Sequence, residues 1–151
     1  DKLMRLRTRM LLGICAEVCV PHKIDIDTML DAPDPSPTPA IVAALASMPY
    51  SQDEAGVRNA TCAISPTADG MQIKAQVSLP HTGGTEVAVI ETGAEGLWIS
   101  EAITTRRGDT ITAVSQMVHA DGGAFAIDRS AVRITIIGGD YAVDVRGCTA
   151  G

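Results

Sequence analysis

Aromatic residues are almost absent from this chain of 151: Tyr50, Trp98, Phe125 and Tyr141 make up 3% of it. So few rings provide no stacking platform for single-stranded nucleic acid. Bases are in the minority, 12 against 18 acids, for a net charge of −6. That balance argues against a nucleic-acid surface or an anionic-membrane surface, both of which need a basic face. No apolar run approaches the ~20 residues that a membrane-spanning helix requires. There is no Gly-x-Ser-x-Gly elbow to support hydrolase chemistry. Gly83-Gly84 and Gly138-Gly139 lack the strand-to-helix setting of a phosphate loop and read as turns. What remains, 46% hydrophobic and 20% charged residues, is globular composition, enough for one domain or one domain plus a fragment.

The chain opens at Asp1 and enters an alternating pattern at once. Met4, Leu6, Met10 and Leu12 fall on one side of residues 3–12, with Arg5, Arg7 and Arg9 on the other. That is the period of a half-buried strand. Residues 24–30 repeat it, with Ile24, Ile26 and Leu30 opposing Asp25 and Asp27. The two runs read as an antiparallel pair joined by a loop over residues 13–21, with the arginines facing the aspartates across it. An export signal does not fit, because Glu17 interrupts the apolar stretch and Ile14 stands where a lipoprotein box needs a small residue before Cys15.

Pro33, Pro35, Pro37 and Pro39 alternate through the next segment and forbid helix and ladder alike, so an extended linker is expected there. A short helix follows, with Thr38 as N-cap, Pro39 at its first position and Pro49 as its stop. Its stripe of Ile41, Ala44, Leu45 and Met48 is expected to dock. Beyond Tyr50, β-like runs are expected at 57–64, 71–79, 85–92, 97–103, 110–118, 124–128, 131–137 and 141–146, separated by glycine-rich turns. The expected fold class is all-β: an immunoglobulin-like sandwich over 56–151, preceded by a hairpin remnant of another β-domain over 1–31 and a linker with one helix over 32–55.

The four cysteines form two dissimilar pairs. Cys62 and Cys148 stand 86 positions apart, near the two ends of the sandwich. A bridge between them closes a long loop, is worth roughly 4–5 kcal/mol, and requires an oxidising compartment. Cys15 and Cys19 are separated by only three residues. Four positions along an extended strand span ~13 Å, whereas a disulfide needs Cα atoms ~4.4–6.8 Å apart, so the chain must bend to join them. So small a ring contributes only ~2 kcal/mol and makes a poor staple, but at a loop tip it is the kind a thiolate opens. Three readings stand: a redox pair, a passive local disulfide, or a metal site. The last adds His22, giving Cys-x3-Cys-x2-His as a set for copper or zinc. His81 and His119 lie far off in sequence and read as ordinary surface histidines. A thioredoxin fold is excluded, because its cysteines precede a helix and here Pro21 and the run to Leu30 follow.

The segment Gly13-Ile14-Cys15-Ala16-Glu17-Val18-Cys19-Val20-Pro21 resembles the G-[VI]-C-x-x-[IV]-C-[VI]-P segment in the periplasmic N-terminal region of the DsbD/ScsB thiol:disulfide interchange reductases. The resemblance implies that Cys15 and Cys19 are the catalytic redox pair of a protein-disulfide reductase, with Pro21 the proline beyond it. It implies a relay in which electrons arrive through a transmembrane domain of the same protein and leave to thioredoxin-like periplasmic oxidoreductases, without a cofactor. It also implies a periplasmic location in an inner-membrane-anchored protein and, in the ScsB branch, a link to copper tolerance. Strands expected upstream of residue 3 and the electron conduit are not in this sequence, so the redox domain is expected to be incomplete or completed by another chain, and not to turn over alone. The alternatives are a secreted β-sandwich module binding copper through Cys15, Cys19 and His22, and a structural spacer.

Other signals count for little. Asn59-Ala60-Thr61 matches a short sequon. Arg107-Gly108-Asp109 sits between two β-runs and reads as a hairpin turn. Glu17 reads as a solvated loop carboxylate, and Glu86, Glu91, Glu95 and Glu101 as residues on solvated strand faces.

Overall fold

The computed structural model describes residues 3–30, 36, 38–122 and 125–151. Two compact units divide it, Asp1–Ala44 and Leu45–Gly151.

In the first unit the alternating runs form β1 (Met4–Cys15) and β2 (Cys19–Leu30), antiparallel from Met4↔Leu30 to Cys15↔Cys19. The loop is shorter than the expected 13–21. Ile14 pairs with Val20 and Gly13 with Pro21, leaving only Ala16, Glu17 and Val18 outside the ladder. Pro21 stays in the strand because a two-stranded ribbon tolerates proline wherever the missing N–H would point outward. One face carries Met4, Leu6, Met10, Ile24, Ile26 and Leu30; the other carries the charges. There Arg5 donates to both Asp27 carboxylate oxygens, at 2.8 and 2.7 Å, and Arg9 donates to Asp25 at 2.8 Å. Arg7 lies 3.3 Å from Asp27. The arginine-to-aspartate pairing is as the alternation implies. These pairs are exposed to solvent, so they fix register more than they add stability.

The expected proline linker falls on residues 31–35 and 37, outside the described residues. The helix α1 (Pro39–Ala46) begins as expected: the Thr38 carbonyl accepts the Val42 N–H at 3.0 Å, and its Oγ1 accepts the Ile41 N–H at 3.4 Å. Its docking stripe is a different matter. No residue of α1 is buried. The run Ala40 to Ala46 is apolar around its whole circumference, so no single stripe is selected.

The remaining strands are β3 (Tyr50–Ser51), β4 (Asn59–Pro66), β5 (Met71–Ser78), β6 (Val87–Glu91), β7 (Leu97–Ile99), β8 (Ile103–Arg107), β9 (Thr110–His119), β10 (Arg133–Ile137), β11 (Ala142–Arg146) and β12 (Thr149–Ala150). One sheet runs β3-β11-β10-β6. The other runs β12-β4-β5-β9-β7, with β8 also pairing β9. The result is the all-β, immunoglobulin-like sandwich expected from the spacing of the runs. Alternation delivers the core: Ile73, Ala75 and Val77 from β5 and Ile111, Ala113 and Met117 from β9 meet Ile134 and Ile136 of β10 and Val143 and Val145 of β11.

Two expected strands are corrected. The run at 97–103 splits, because Ser100 binds Gln116 through both its N–H (2.9 Å) and its Oγ (3.0 Å), after which the chain needs three steps to reach Ile103↔Val114 while β9 takes two. The extra residue is a bulge. The run at 124–128 is no strand over its described part, 125–128. The Asp128 carboxylate there accepts the Ser130 N–H at 2.9 Å and its hydroxyl at 2.6 Å, forming a turn instead. Arg107-Gly108-Asp109 is the β8–β9 turn, with Gly108 at φ +55° and Asp109 held by Arg58 at 2.6 Å.

The two glycine pairs interlock. Gly139 donates to the Gly83 carbonyl at 2.6 Å and Asp140 to the Thr82 carbonyl at 3.0 Å. A Cβ on Gly138 would stand 2.1 Å from Thr82 Oγ1 and 2.3 Å from its carbonyl oxygen, so only glycine lets the loops approach.

Candidate functional site

Cys15 and Cys19 form the last pair of the hairpin ladder, and their sulfurs are bonded. Their Cα atoms stand 4.0 Å apart across the three-residue tip, where Ala16 donates to the Val18 carbonyl at 3.4 Å. Strand parity places both cysteines on the charged face, and the next pair inward on that face is Gly13 and Pro21. A Cβ on Gly13 would meet only Cys15 Sγ, at 3.8 Å. Both cysteines and the whole tip are exposed. Glu17 is exposed between them.

Cys62 and Cys148 are bonded as well, with Cα atoms 5.7 Å apart. Their setting is the reverse. Cys62 is 0% exposed within the core. Its carbonyl accepts Arg129 Nε at 3.1 Å, and the Cys148 N–H donates to the Arg129 carbonyl at 3.0 Å. The bond brings the chain end back beside β4, where β12 pairs in parallel through Thr149↔Thr61 and Ala150↔Cys62. One disulfide lies on an exposed tip; in the other, Cys62 is enclosed in the core and Cys148 is partly buried against it.

The candidate metal set is not gathered. His22 pairs with Leu12 on the face opposite the cysteines, and no group of three or more metal-ligating side chains occurs among the described residues. His81 and His119 serve local turns: His81 Nδ1 accepts the Gly83 N–H at 2.9 Å, and His119 Nδ1 accepts the Asp121 N–H at 3.3 Å.

Glu86 corrects the sequence reading. Its side chain is 4% exposed and paired with Arg106, itself 14% exposed. Arg106 Nη2 donates to Glu86 Oε1 at 2.8 Å, and Nε donates to Oε2. The Thr82 N–H (2.9 Å) and hydroxyl (2.8 Å) converge on Oε1. Arg106 Nη1 also reaches the Leu79 and Gly108 carbonyls, each at 3.1 Å. Burial by itself pushes the Glu86 carboxyl up; the hydrogen bonds from Arg106 and Thr82 outweigh it and hold the group at about 2. With every charge satisfied, the cluster braces the sandwich and offers no reacting group. Glu91, Glu95 and Glu101 are exposed, as expected.

No protein-family model and no curated protein sequence matches the chain. Among solved structures, the N-terminal periplasmic domain of ScsB from Proteus mirabilis is similar, with a TM-score of 0.68 and 16% sequence identity. The match covers 97% of this chain and 58% of that one, so the chain spans little more than half the length of the solved domain. At this identity the likeness is one of fold.

Proposed function

We propose that this chain is the redox-bearing part of a periplasmic thiol:disulfide interchange protein of the DsbD/ScsB kind. The observation that carries the reading is the contrast between a disulfide exposed at both cysteines in a five-residue ring, Cys15–Cys19, and a second disulfide, Cys62–Cys148, whose Cys62 is fully buried and whose Cys148 is partly buried. The fold likeness to a periplasmic ScsB domain and the segment around Cys15 and Cys19 point the same way. Two disulfides suit an oxidising compartment outside the cytosol. No helix among the described residues is long and apolar enough to cross a membrane, so in this reading the transmembrane electron carrier is a separate domain.

The chemistry is sulfur exchange and requires no cofactor. A thiolate of a reduced donor attacks one sulfur of the pair, the Cys15–Cys19 bond breaks, and the other cysteine leaves as a thiolate that takes up a proton. The donor's second thiolate then attacks the mixed disulfide. The donor ends as a disulfide and the pair as a dithiol, two electrons and two protons richer. The dithiol reduces a thioredoxin-like periplasmic partner by the reverse steps. As part of a larger protein the pair acts as a protein-disulfide reductase, with Cys15 and Cys19 as its catalytic residues.

Mild dithiothreitol followed by alkylation and mass spectrometry tests this. Cys15 and Cys19 are expected to be labelled at least about tenfold faster than Cys62 and Cys148, because Cys62 is fully buried and Cys148 partly buried, so attack on their bond is slowed by the need for local opening. Equal resistance of both pairs refutes the relay. With Cys15→Ser and Cys19→Ser made separately, one variant is expected to accumulate a mixed disulfide with a thioredoxin-like protein.

A further inference from the structure

We infer that the hairpin tip is a redox-controlled clasp: the Cys15–Cys19 bond, and not the turn, holds residues 13–21 in the ladder, and reduction releases them as an open loop. Its use in electron transfer rests on the relay reading above; the clasp itself rests on the oxidised tip. Three residues connect the strands, Ala16, Glu17 and Val18. Hairpin loops of two or three residues ordinarily place a glycine or asparagine at positive φ, which turns the chain in step with the twist of the strands. This tip has neither residue type, and none of its residues has a positive φ. The backbone bond that closes it, from the Ala16 N–H to the Val18 carbonyl, is long at 3.4 Å.

The rungs behind the tip add little hold. By alternation from the Ala16–Val18 bond, Cys15↔Cys19 is a pair without direct hydrogen bonds, and Ile14↔Val20 is the next pair that exchanges them. Ile14 is 60% and Val20 62% exposed. Gly13↔Pro21 follows; glycine brings no side chain to the pair, and both residue types are poor strand formers. Firmer pairing begins further in, at the half-buried Met10↔Ile24 and at Arg9–Asp25, 2.8 Å apart. Residues 13–21 are thus the span whose residue types read as a loop, and the ladder crosses it where the sulfurs are joined.

The consequence for exchange follows from chain entropy. Ordering this span is unfavourable, and the disulfide carries that cost because the turn does not offset it. When dithiothreitol reduces the pair, its two thiols end as a cyclic disulfide, Cys15 and Cys19 end as thiols, and the tip opens. Opening favours the dithiol side, so the pair accepts electrons more readily than the same ring on a preformed turn. A partner meets a closed tip on the oxidised form and a loop on the reduced one.

Residue-resolved amide hydrogen exchange tests this on the intact chain, oxidised and after mild dithiothreitol, and on Cys15→Ser combined with Cys19→Ser. Without the bond, the amides of Ile14, Ala16 and Val20 are expected to exchange at least about tenfold faster, while those of Met10 and Ile24 change less than about twofold. Glu17→Asn with Val18→Gly supplies the favoured turn. That variant is expected to keep Ile14 and Val20 protected within about threefold after reduction, and to shift the equilibrium with dithiothreitol about tenfold toward the disulfide. Exchange at Ile14 and Val20 that is the same with and without the bond refutes the clasp while the relay stands. So does equal loosening at Met10 and Ile24, or a turn variant that leaves the equilibrium unmoved. If dithiothreitol opens Cys15–Cys19 no faster than Cys62–Cys148, the relay fails, and the serine variant alone then decides the clasp.

Discussion

Replacing Cys62 and Cys148 together with alanine is expected to cost the sandwich about 4–5 kcal/mol, most of it through the unfolded chain. The bond closes a loop of 86 positions, and without it the unfolded ensemble regains the freedom of those ends to separate. A domain of this size has about 5–15 kcal/mol in hand, so between a third and nearly all of its stability is at stake. The midpoint of thermal unfolding is expected to fall by about 15–25 °C. Alanine is the right replacement because Cys62 is fully buried and a serine hydroxyl there would need a partner. Removal of Cys15 and Cys19 is expected to leave this transition where it is, since that ring closes five residues in the other unit and constrains nothing in the core. Denaturant titration of both double variants measures the contrast. Equal loss from the two would overturn the division into staple and exchangeable pair.

What could be read from the sequence follows from how local each signal is. The hairpin was legible because Arg5, Arg7 and Arg9 alternate with apolar residues and meet Asp25 and Asp27 in a register that period and charge jointly specify. The sequence makes the tip look wider than it is, as residues 13–21, because glycine and proline mark turns in most contexts; the ladder in fact runs on to Cys15↔Cys19. The helix cap at Thr38 was legible for the same reason as the hairpin, since all its partners lie within four residues.

Non-local features were not legible. The two-residue strands β3 and β12 have no pattern of their own and exist because β11 and β4 lie beside them. The bulge at Ser100 depends on Gln116. Glu86 looked like any acid on a strand face, because its partner Arg106 is twenty positions away and the shelter around both comes from loops that meet only in the folded chain. The nearest sequence-level hint was the pair of Gly-Gly turns, which read as separate punctuation and in fact grip each other. At the hairpin tip, the residue types and their spacing already require a bend; exposure of the sulfurs comes only from the fold.

Replacing Arg106 with leucine is expected to be the most damaging change to a single side chain outside the disulfides, costing about 3–5 kcal/mol at neutral pH. The cost comes less from the lost attraction than from what is left behind: a Glu86 carboxylate, 4% exposed, with the Thr82 N–H and hydroxyl as its hydrogen-bond donors and the His81 imidazole 3.8 Å away. The sign of the pH dependence follows from the wild-type carboxyl, held at about 2 against an ordinary value of 4.5. Its contribution is fully present above about 4.5 and is lost as the pH falls toward about 2, a span worth about 3 kcal/mol by linkage. The stability gap between wild type and Arg106→Leu is therefore expected to be widest near neutrality and to narrow as pH falls through that window, where protonation relieves the stranded charge in the variant and weakens the pair in the wild type. Glu86→Leu combined with Arg106→Leu is expected to regain most of the loss, because an apolar pair of similar volume leaves no buried charge to solvate. Urea titrations of the three proteins at pH 7, 4.5 and 3 separate the contributions. A gap that stays constant with pH would mean that Arg106 acts through its bonds to the Leu79 and Gly108 carbonyls rather than through Glu86, and the double variant would then remain as unstable as the single one.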